Sequence, residues 1–296
     1  MGRRHARNAL ALGHKVTVYD TRPTVYIKEP GLQTVVDYDE AWDSDQQVVI
    51  IATPTETHAG ICWETARCSD AHMLIEKPLA SSEQSFWNQA GDEHPALLSV
   101  DHSRVISIGY HLRFHPGLQA LRDRLPELGG ALQGWFICQC DKATWPGTYE
   151  DMLLEASHEI DLARMLLGPA SVAGAVGDGN RWSLLLAHAS GAHSQVTLDG
   201  TYRGYRRKAQ VAGPAGVLSL AWNDHVLDWR WTLSGPGTGP YGMEGITTPD
   251  DLYLAEMRAF LDCCATGREP ACTLADGLAA LRICDEARMA ARRLPG

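Results

Sequence analysis

Apolar positions in the first hundred or so residues follow two alternating patterns. Short, nearly unbroken apolar runs occupy Val16 to Tyr19, Val48 to Ala52, Met73 to Ile75 and Val105 to Gly109. Between them, Arg3 to Leu12, Ala59 to Cys68 and Ser82 to Ala90 carry the mixed spacing of amphipathic helices. Apolar strands separated by helices predict a parallel sheet covered on both faces, the doubly wound arrangement. Ligands bind such a sheet at the carboxyl ends of its strands.

Past residue 130 the period changes. Leu132 to Cys140, Ala170 to Val176, Trp182 to His188, His193 to Leu198, Arg207 to Ala212, Val217 to Trp222 and Val226 to Trp231 are short runs, mostly bounded by turn residues. They predict a large, mostly antiparallel sheet. One helix, Glu150 to Leu167, interrupts it early; Leu252 to Thr266 follows it, and Leu274 to Arg293 ends the chain. The expected class is α/β plus α+β: a Rossmann-like doubly wound domain over 1–115, then a substrate-binding domain over 116–296.

Composition narrows the partners. The 296 residues carry 26 basic and 36 acidic side chains, a net charge of -10, with no block of like charge that would suit nucleic acid. The longest apolar runs are strand-length rather than membrane-length, and no signal-peptide pattern opens the chain. A soluble, cytoplasmic protein is expected. Of the eight cysteines, Cys138 and Cys140 lie one apart on a strand, Cys263 and Cys264 are adjacent, and Cys62 and Cys68 flank a helix. Without a Cys-x-x-Cys pair, free buried thiols in a reducing compartment are the expectation, with no metal.

The opening "MGRRHARNALALGHKVTVYD" starts on a helix. In a dinucleotide-binding βαβ unit, a Gly-x-Gly-x-x-Gly turn joins the first strand to a helix whose N-terminus holds the pyrophosphate. Gly2 fits the third glycine, so the first strand and two glycines are absent from the pattern. Asp20, ending the next strand, suits the acid that accepts hydrogen bonds from the ribose hydroxyls and favours NAD; Arg22 leaves NADP open. The simpler alternative is a helix start and a strand end.

Other polar groups gather at strand ends. "ATPTETH" puts Thr53, Pro54, Thr55 and His58 where a buried strand gives way to a helix, although Thr55 or Thr57 could serve only as a cap. "IEKPLA" puts Glu76, Lys77 and Pro78 after an apolar strand; Lys77 is either a proton-exchanging group or a solvated surface lysine. "YHLRFHP" gathers Tyr110, His111, Arg113 and His115 where the two domains join, and Arg113 could equally tie the domains together through a structural salt bridge. Along the next helix Glu155, His158 and Asp161 recur every third residue, either as a histidine oriented by an acid or as a solvated face.

Together these segments resemble the Gfo/Idh/MocA family (glucose-fructose oxidoreductase, inositol dehydrogenase, rhizopine catabolism). The resemblance is carried by "GRRHARNALALGHKVTVYD", "ATPTETH", "EKPLA", "GYHLRFHP", "LLEASHEIDLARMLLG" and "EMRAFLDCCATGREPACTLADGLAALRICDEA", in the family's order over nearly the whole chain. It implies a Rossmann domain, a substrate domain with an open sheet, and a homodimer or homotetramer through that sheet. By the same resemblance Gly2, Asp20, Arg22, Thr53, Pro54, Thr55, His58 and Glu76 are cofactor contacts. Lys77 and His158 match the active-site lysine and histidine, Glu155 orients His158, and Tyr110, His111, Arg113 and Asp161 face the substrate. The implied reaction is NAD-dependent (NADP possible) oxidation or reduction at a secondary alcohol of a sugar, cyclitol or nucleotide sugar. Three departures stand out: Leu154 where many members have an aspartate, "WPGTYED" in place of a glycine-rich lead-in, and the absent first strand. The last implies an alternative, a non-catalytic or cofactor-impaired relative that binds or regulates.

Overall fold

A computed structural model of the chain describes residues 1–22, 30–35, 37, 41, 46–90, 104–144, 151–224 and 229–291. Two units emerge. The first comprises Met1–Ala80, Gln84–Gly109 and Tyr253–Leu274; the second comprises Ser81–Glu83, Tyr110–Leu252 and Ala275–Gly296.

In the first unit α1 (Gly2–Ala11) leads into β1 (Val16–Tyr19) and β2 (Leu32–Val35), which pair in parallel. A second parallel group holds β3 (Val48–Ile51), β4 (His72–Glu76) and β5 (Ile106–Gly109), in the order β3-β4-β5. Helices α2 (Thr55–Cys68) and α3 (Glu83–Asn88) follow β3 and β4. The sequence pattern did not mark β2, whose run "LQTV" holds two polar residues among four. β1 and β3 lie in separate sheets rather than side by side. Position in the sheet shows in burial: β4, flanked on both sides, keeps Met73, Leu74 and Ile75 fully buried, while Val48, Val49 and Ile50 of β3 are half-buried. Helix α7 (Pro249–Thr266) returns to this unit from Tyr253 onward, and Met257, Phe260 and Cys263 close a core over Leu74 and Val105. The Ile108 N–H donates to the Cys272 carbonyl at 3.1 Å, tying the end of this return to β5.

The second unit is built on eight strands: β6 (Gln133–Asp141), β7 (Ala170–Asp178), β8 (Arg181–His188), β9 (His193–Asp199), β10 (Thr201–Gly213), β11 (Gly216–Asp224), β12 (Trp229–Ser234) and β13 (Met243–Thr247). Their order is β13-β12-β11-β10-β6-β9-β8-β7, antiparallel throughout except for the parallel pair β6–β9. Alternating burial gives one covered face, with Phe136, Cys138 and Cys140 on β6 and Trp182, Leu184 and Leu186 on β8. Helices α4 (Pro116–Arg124) and α6 (Ser157–Leu167) pack on that face. α4 comes so close that a Cβ on Gly117 would stand 2.7 Å from Leu220 Cδ1 and 3.0 Å from the Trp231 ring, so a larger residue there would have to displace them. α8 (Leu274–Ala291) ends the described chain.

The helix expected from Glu150 to Leu167 is two helices. Asp151 caps α5 (Met152–Glu155) by accepting the Leu153 N–H, and Ala156, at φ -100° and ψ 30°, breaks the path before α6. Residues 145–150 of the "WPGTYED" lead-in, and Val226 to Asp228 of an expected strand, lie outside the described residues.

Candidate active site

In the first unit the predicted contacts occupy three strand-end turns. Gly2 opens α1, but a Cβ there would meet only Ala52 Cβ at 3.9 Å, an ordinary contact, so packing alone does not demand glycine. Asp20 follows β1 and is gripped by Arg22: Nε and Nη2 each donate at 3.0 Å, and the Arg22 N–H adds 2.9 Å. The guanidinium hydrogen bond holds the Asp20 carboxyl below its ordinary pKa. Arg22 itself stays largely in solvent.

After β3, Thr53 and Pro54 are exposed, Pro54 being the N-cap of α2 and Thr55 its buried first residue. Thr57 Oγ lies 2.7 Å from both Thr53 Oγ and the Pro54 carbonyl. His58, placed by sequence among the cofactor contacts, is 1% exposed. Its Nδ1 lies 2.9 Å from the Pro78 carbonyl and its Nε2 2.8 Å from the Thr53 carbonyl. Both ring nitrogens therefore lie against backbone carbonyls.

Glu76 ends β4 at 5% exposure. Its Oε1 is 2.6 Å from His5 Nε2, and its Oε2 accepts the Lys77 N–H at 3.2 Å. Burial alone would raise the Glu76 pKa; the His5 hydrogen bond and the nearby charges of His5 and Lys77 outweigh it and hold the carboxyl below its ordinary value. Lys77 is half-buried, in a cis peptide to Pro78. Within electrostatic reach of Glu76 lies Glu256 of α7, 2% exposed, whose two carboxyl oxygens have no hydrogen-bond partner among the described residues. Burial, reinforced by the Glu76 charge, pushes the Glu256 carboxyl well above its ordinary pKa, toward the neutral acid. Sequence reasoning missed His5 and Glu256. The available signal was small: His5 shares the inner face of α1 with Ala6 and Ala9.

In the second unit His158 is 3% exposed on α6. Its ring meets Tyr110 edge-on at 5.3 Å and His111 at 4.6 Å, and His111 in turn lies 6.5 Å from the Trp229 ring. Ala156 separates Glu155 at the end of α5 from His158 on α6, so helical spacing alone does not relate the two. Arg113 and Asp161, both expected to face substrate, hold each other through two hydrogen bonds of 2.8 and 2.5 Å. Asp276 extends the network to Arg113 at 3.2 Å and Arg164 at 3.5 Å. The pair is buried, and all of these partners belong to the second unit.

His115 has a separate task. Its Nδ1 accepts the Gly117 and Leu118 N–H groups at 3.1 and 3.4 Å and so caps α4. Burial, assisted by Arg207, pushes its pKa down to about 3. All eight cysteines are free thiols, Cys68 being exposed. No helix among the described residues is long and apolar enough to cross a membrane.

No family model matches the chain. Along 82% of its length it is 28% identical to an inositol 2-dehydrogenase of Rhizobium meliloti (strain 1021), over 78% of that protein. Along 96% of its length it is 27% identical to a UDP-N-acetylglucosamine 3-dehydrogenase of Acidithiobacillus ferrooxidans, over 90% of that protein. A levoglucosan dehydrogenase solved in complex with NADH superposes with a TM-score of 0.78, covering 99% of this chain and 94% of that one at 18% identity. The parallel-stranded unit joined to a large, mostly antiparallel sheet is therefore the fold of that dehydrogenase.

Proposed function

We propose that the protein is an NAD-dependent oxidoreductase acting on a secondary alcohol or ketone of a sugar, cyclitol or nucleotide sugar. The observation that carries this reading is its likeness, over most of its length, to two proteins named as dehydrogenases, one of inositol and one of a nucleotide sugar. The first unit offers a fitting donor set for the cofactor. The N-terminus of α1 presents backbone amides suited to a pyrophosphate, the Asp20 carboxylate suits ribose hydroxyls, and Thr53 and Pro54 are exposed beyond β3. Bound NAD would supply the hydride acceptor. Arg22 beside Asp20 keeps NADP a second candidate.

The chain's own residues handle the proton. His158 accepts it from the substrate hydroxyl, and Lys77 hydrogen-bonds the same oxygen and shares the proton. Tyr110 and His111, packed against the His158 ring, shape the substrate side. The outward face of the large sheet exposes Val176, Leu185, Val217 and Ile246, which suits self-association into a homodimer or homotetramer. Free thiols suit the cytoplasm.

NAD and NADP titrations followed by tryptophan fluorescence test the cofactor, and turnover of myo-inositol, scyllo-inositol, UDP-N-acetylglucosamine and levoglucosan tests the substrate class. Saturable NAD binding with turnover of at least one compound is expected. Failure to bind NAD at millimolar concentration would refute the reading in favour of a non-catalytic binding protein.

A further inference from the structure

We propose that His5 and His58 are positioning residues for Lys77, clamping the chain on either side of it. The proposal rests on the role given to Lys77 above. On the N-terminal side, Glu76 Oε2 accepts the Lys77 N–H while Oε1 is held by His5 Nε2 at 2.6 Å. On the C-terminal side, the Pro78 carbonyl is held by His58 Nδ1 at 2.9 Å, and the other nitrogen of that ring reaches back to Thr53 after β3. The two rings come from different helices, α1 and α2, and converge on one three-residue turn.

The chemistry favours a clamp over ordinary core filling. Both histidines are 1% exposed, so water cannot replace a lost bond and a stranded partner bears its full desolvation cost. The two acceptors of His58 are carbonyl oxygens, which cannot donate. The hydrogen in these contacts must therefore come from the ring. His5 makes its polar contact with Glu76 and nothing else among the described residues, and its ring also meets Tyr253 edge-on at 5.7 Å. A lysine side chain is long and freely rotating, so its ammonium can be placed no better than the backbone from which it hangs. A displacement of about 1 Å at a catalytic group costs on the order of a hundredfold in rate.

The test uses protein labelled with 15N-lysine, in which the Lys77 amide resonance is assigned by its absence from Lys77→Ala. His5→Leu removes the donor to Glu76, and His58→Gln cannot span both carbonyls; each should move the Lys77 amide. His5→Gln, whose amide still donates to Glu76, should leave it near its original position. With NAD and myo-inositol, or whichever of the four compounds above is turned over, kcat should fall about ten- to a hundredfold in the first two variants. The KM for NAD should stay within about twofold, and His5→Gln should restore kcat. An unmoved Lys77 amide, a loss of NAD affinity matching the loss of kcat, or a His5→Gln variant no better than His5→Leu would overturn the clamp. Should His5→Leu fail to fold, His58→Gln decides. Wild-type protein inert toward every compound would count against the dehydrogenase reading, and the amide shift would still decide the clamp.

Discussion

Buried histidines take opposite roles at His5 and His58 of the first unit and at His115 of the second. In the first, His5 and His58 face a carboxylate and two carbonyls, groups that accept hydrogen bonds. In the second, His115 accepts, taking two backbone N–H groups at Nδ1 with Trp222, Trp229 and Trp231 around its ring. Adding a proton leaves a donor in place but destroys an acceptor. The α4 cap thus depends on a neutral His115 ring, whereas the contacts of His5 and His58 depend on a ring N–H.

The largest effect should come from breaking the donor side. His5→Leu leaves the Glu76 carboxylate buried without its imidazole, and removal of one partner from a buried pair costs about 3–5 kcal/mol. Urea unfolding of His5→Leu should show that loss, and Glu76→Gln added to it should recover part by removing the stranded charge. A cost near zero would mean that the first unit is not held through donation.

Acid should act next, and on the acceptor side first. The His115 pKa of about 3 lies below the ordinary 6.5, so between those values the unfolded chain binds the proton and the folded one does not. The contribution is complete above pH 6.5 and shrinks as pH falls. At about 1.4 kcal/mol per unit, descent to pH 4 should remove about 3 kcal/mol. His115→Asn keeps a side-chain acceptor for the α4 cap without the titration and should flatten this limb. Glu76 enters lower: its folded pKa is depressed below 4.5, so its contribution is present above 4.5 and disappears as pH falls through the folded value. Urea midpoints at pH 6.5 and pH 4, for wild type and His115→Asn, separate the two windows; an unchanged acid limb in His115→Asn would break the comparison.

The same contrast explains what could be read from sequence. Strand and helix types were legible because burial imposes a period: "MLI" in β4 is apolar throughout, and β6 alternates along its length. β13 was not, since "MEGIT" is weakly patterned and its burial is partial. Motif residues such as Lys77 and His158 were legible by residue type and position, but their surroundings depend on contacts distant in sequence. His5 and Glu76 are 71 residues apart, and Arg113 and Asp161 are 48 apart. No local spacing announces either pair. The break at Ala156 was hidden because "MLLEASHEIDLARMLL" has helical spacing on both sides of it, and no glycine or proline marks the residue whose backbone turns aside.

The smallest effect on stability is expected at an ion pair that lies in the open. Asp20 and Arg22 repeat the chemistry of Glu76 and His5, a carboxylate after a parallel strand held by a basic side chain, but Arg22 is 73% exposed. Water solvates both partners once they separate, so the pair contributes little to folding. Arg22→Ala should leave the urea midpoint unchanged and let the Asp20 carboxyl rise back toward its ordinary pKa. Its effect should appear in recognition instead: the uncovered carboxylate keeps or improves NAD affinity, whereas NADP binding weakens because no cation remains to meet its 2′-phosphate. Equal weakening of both cofactors would show that Arg22 organises the turn, as His5 does, and would erase the distinction between the exposed and the buried pair.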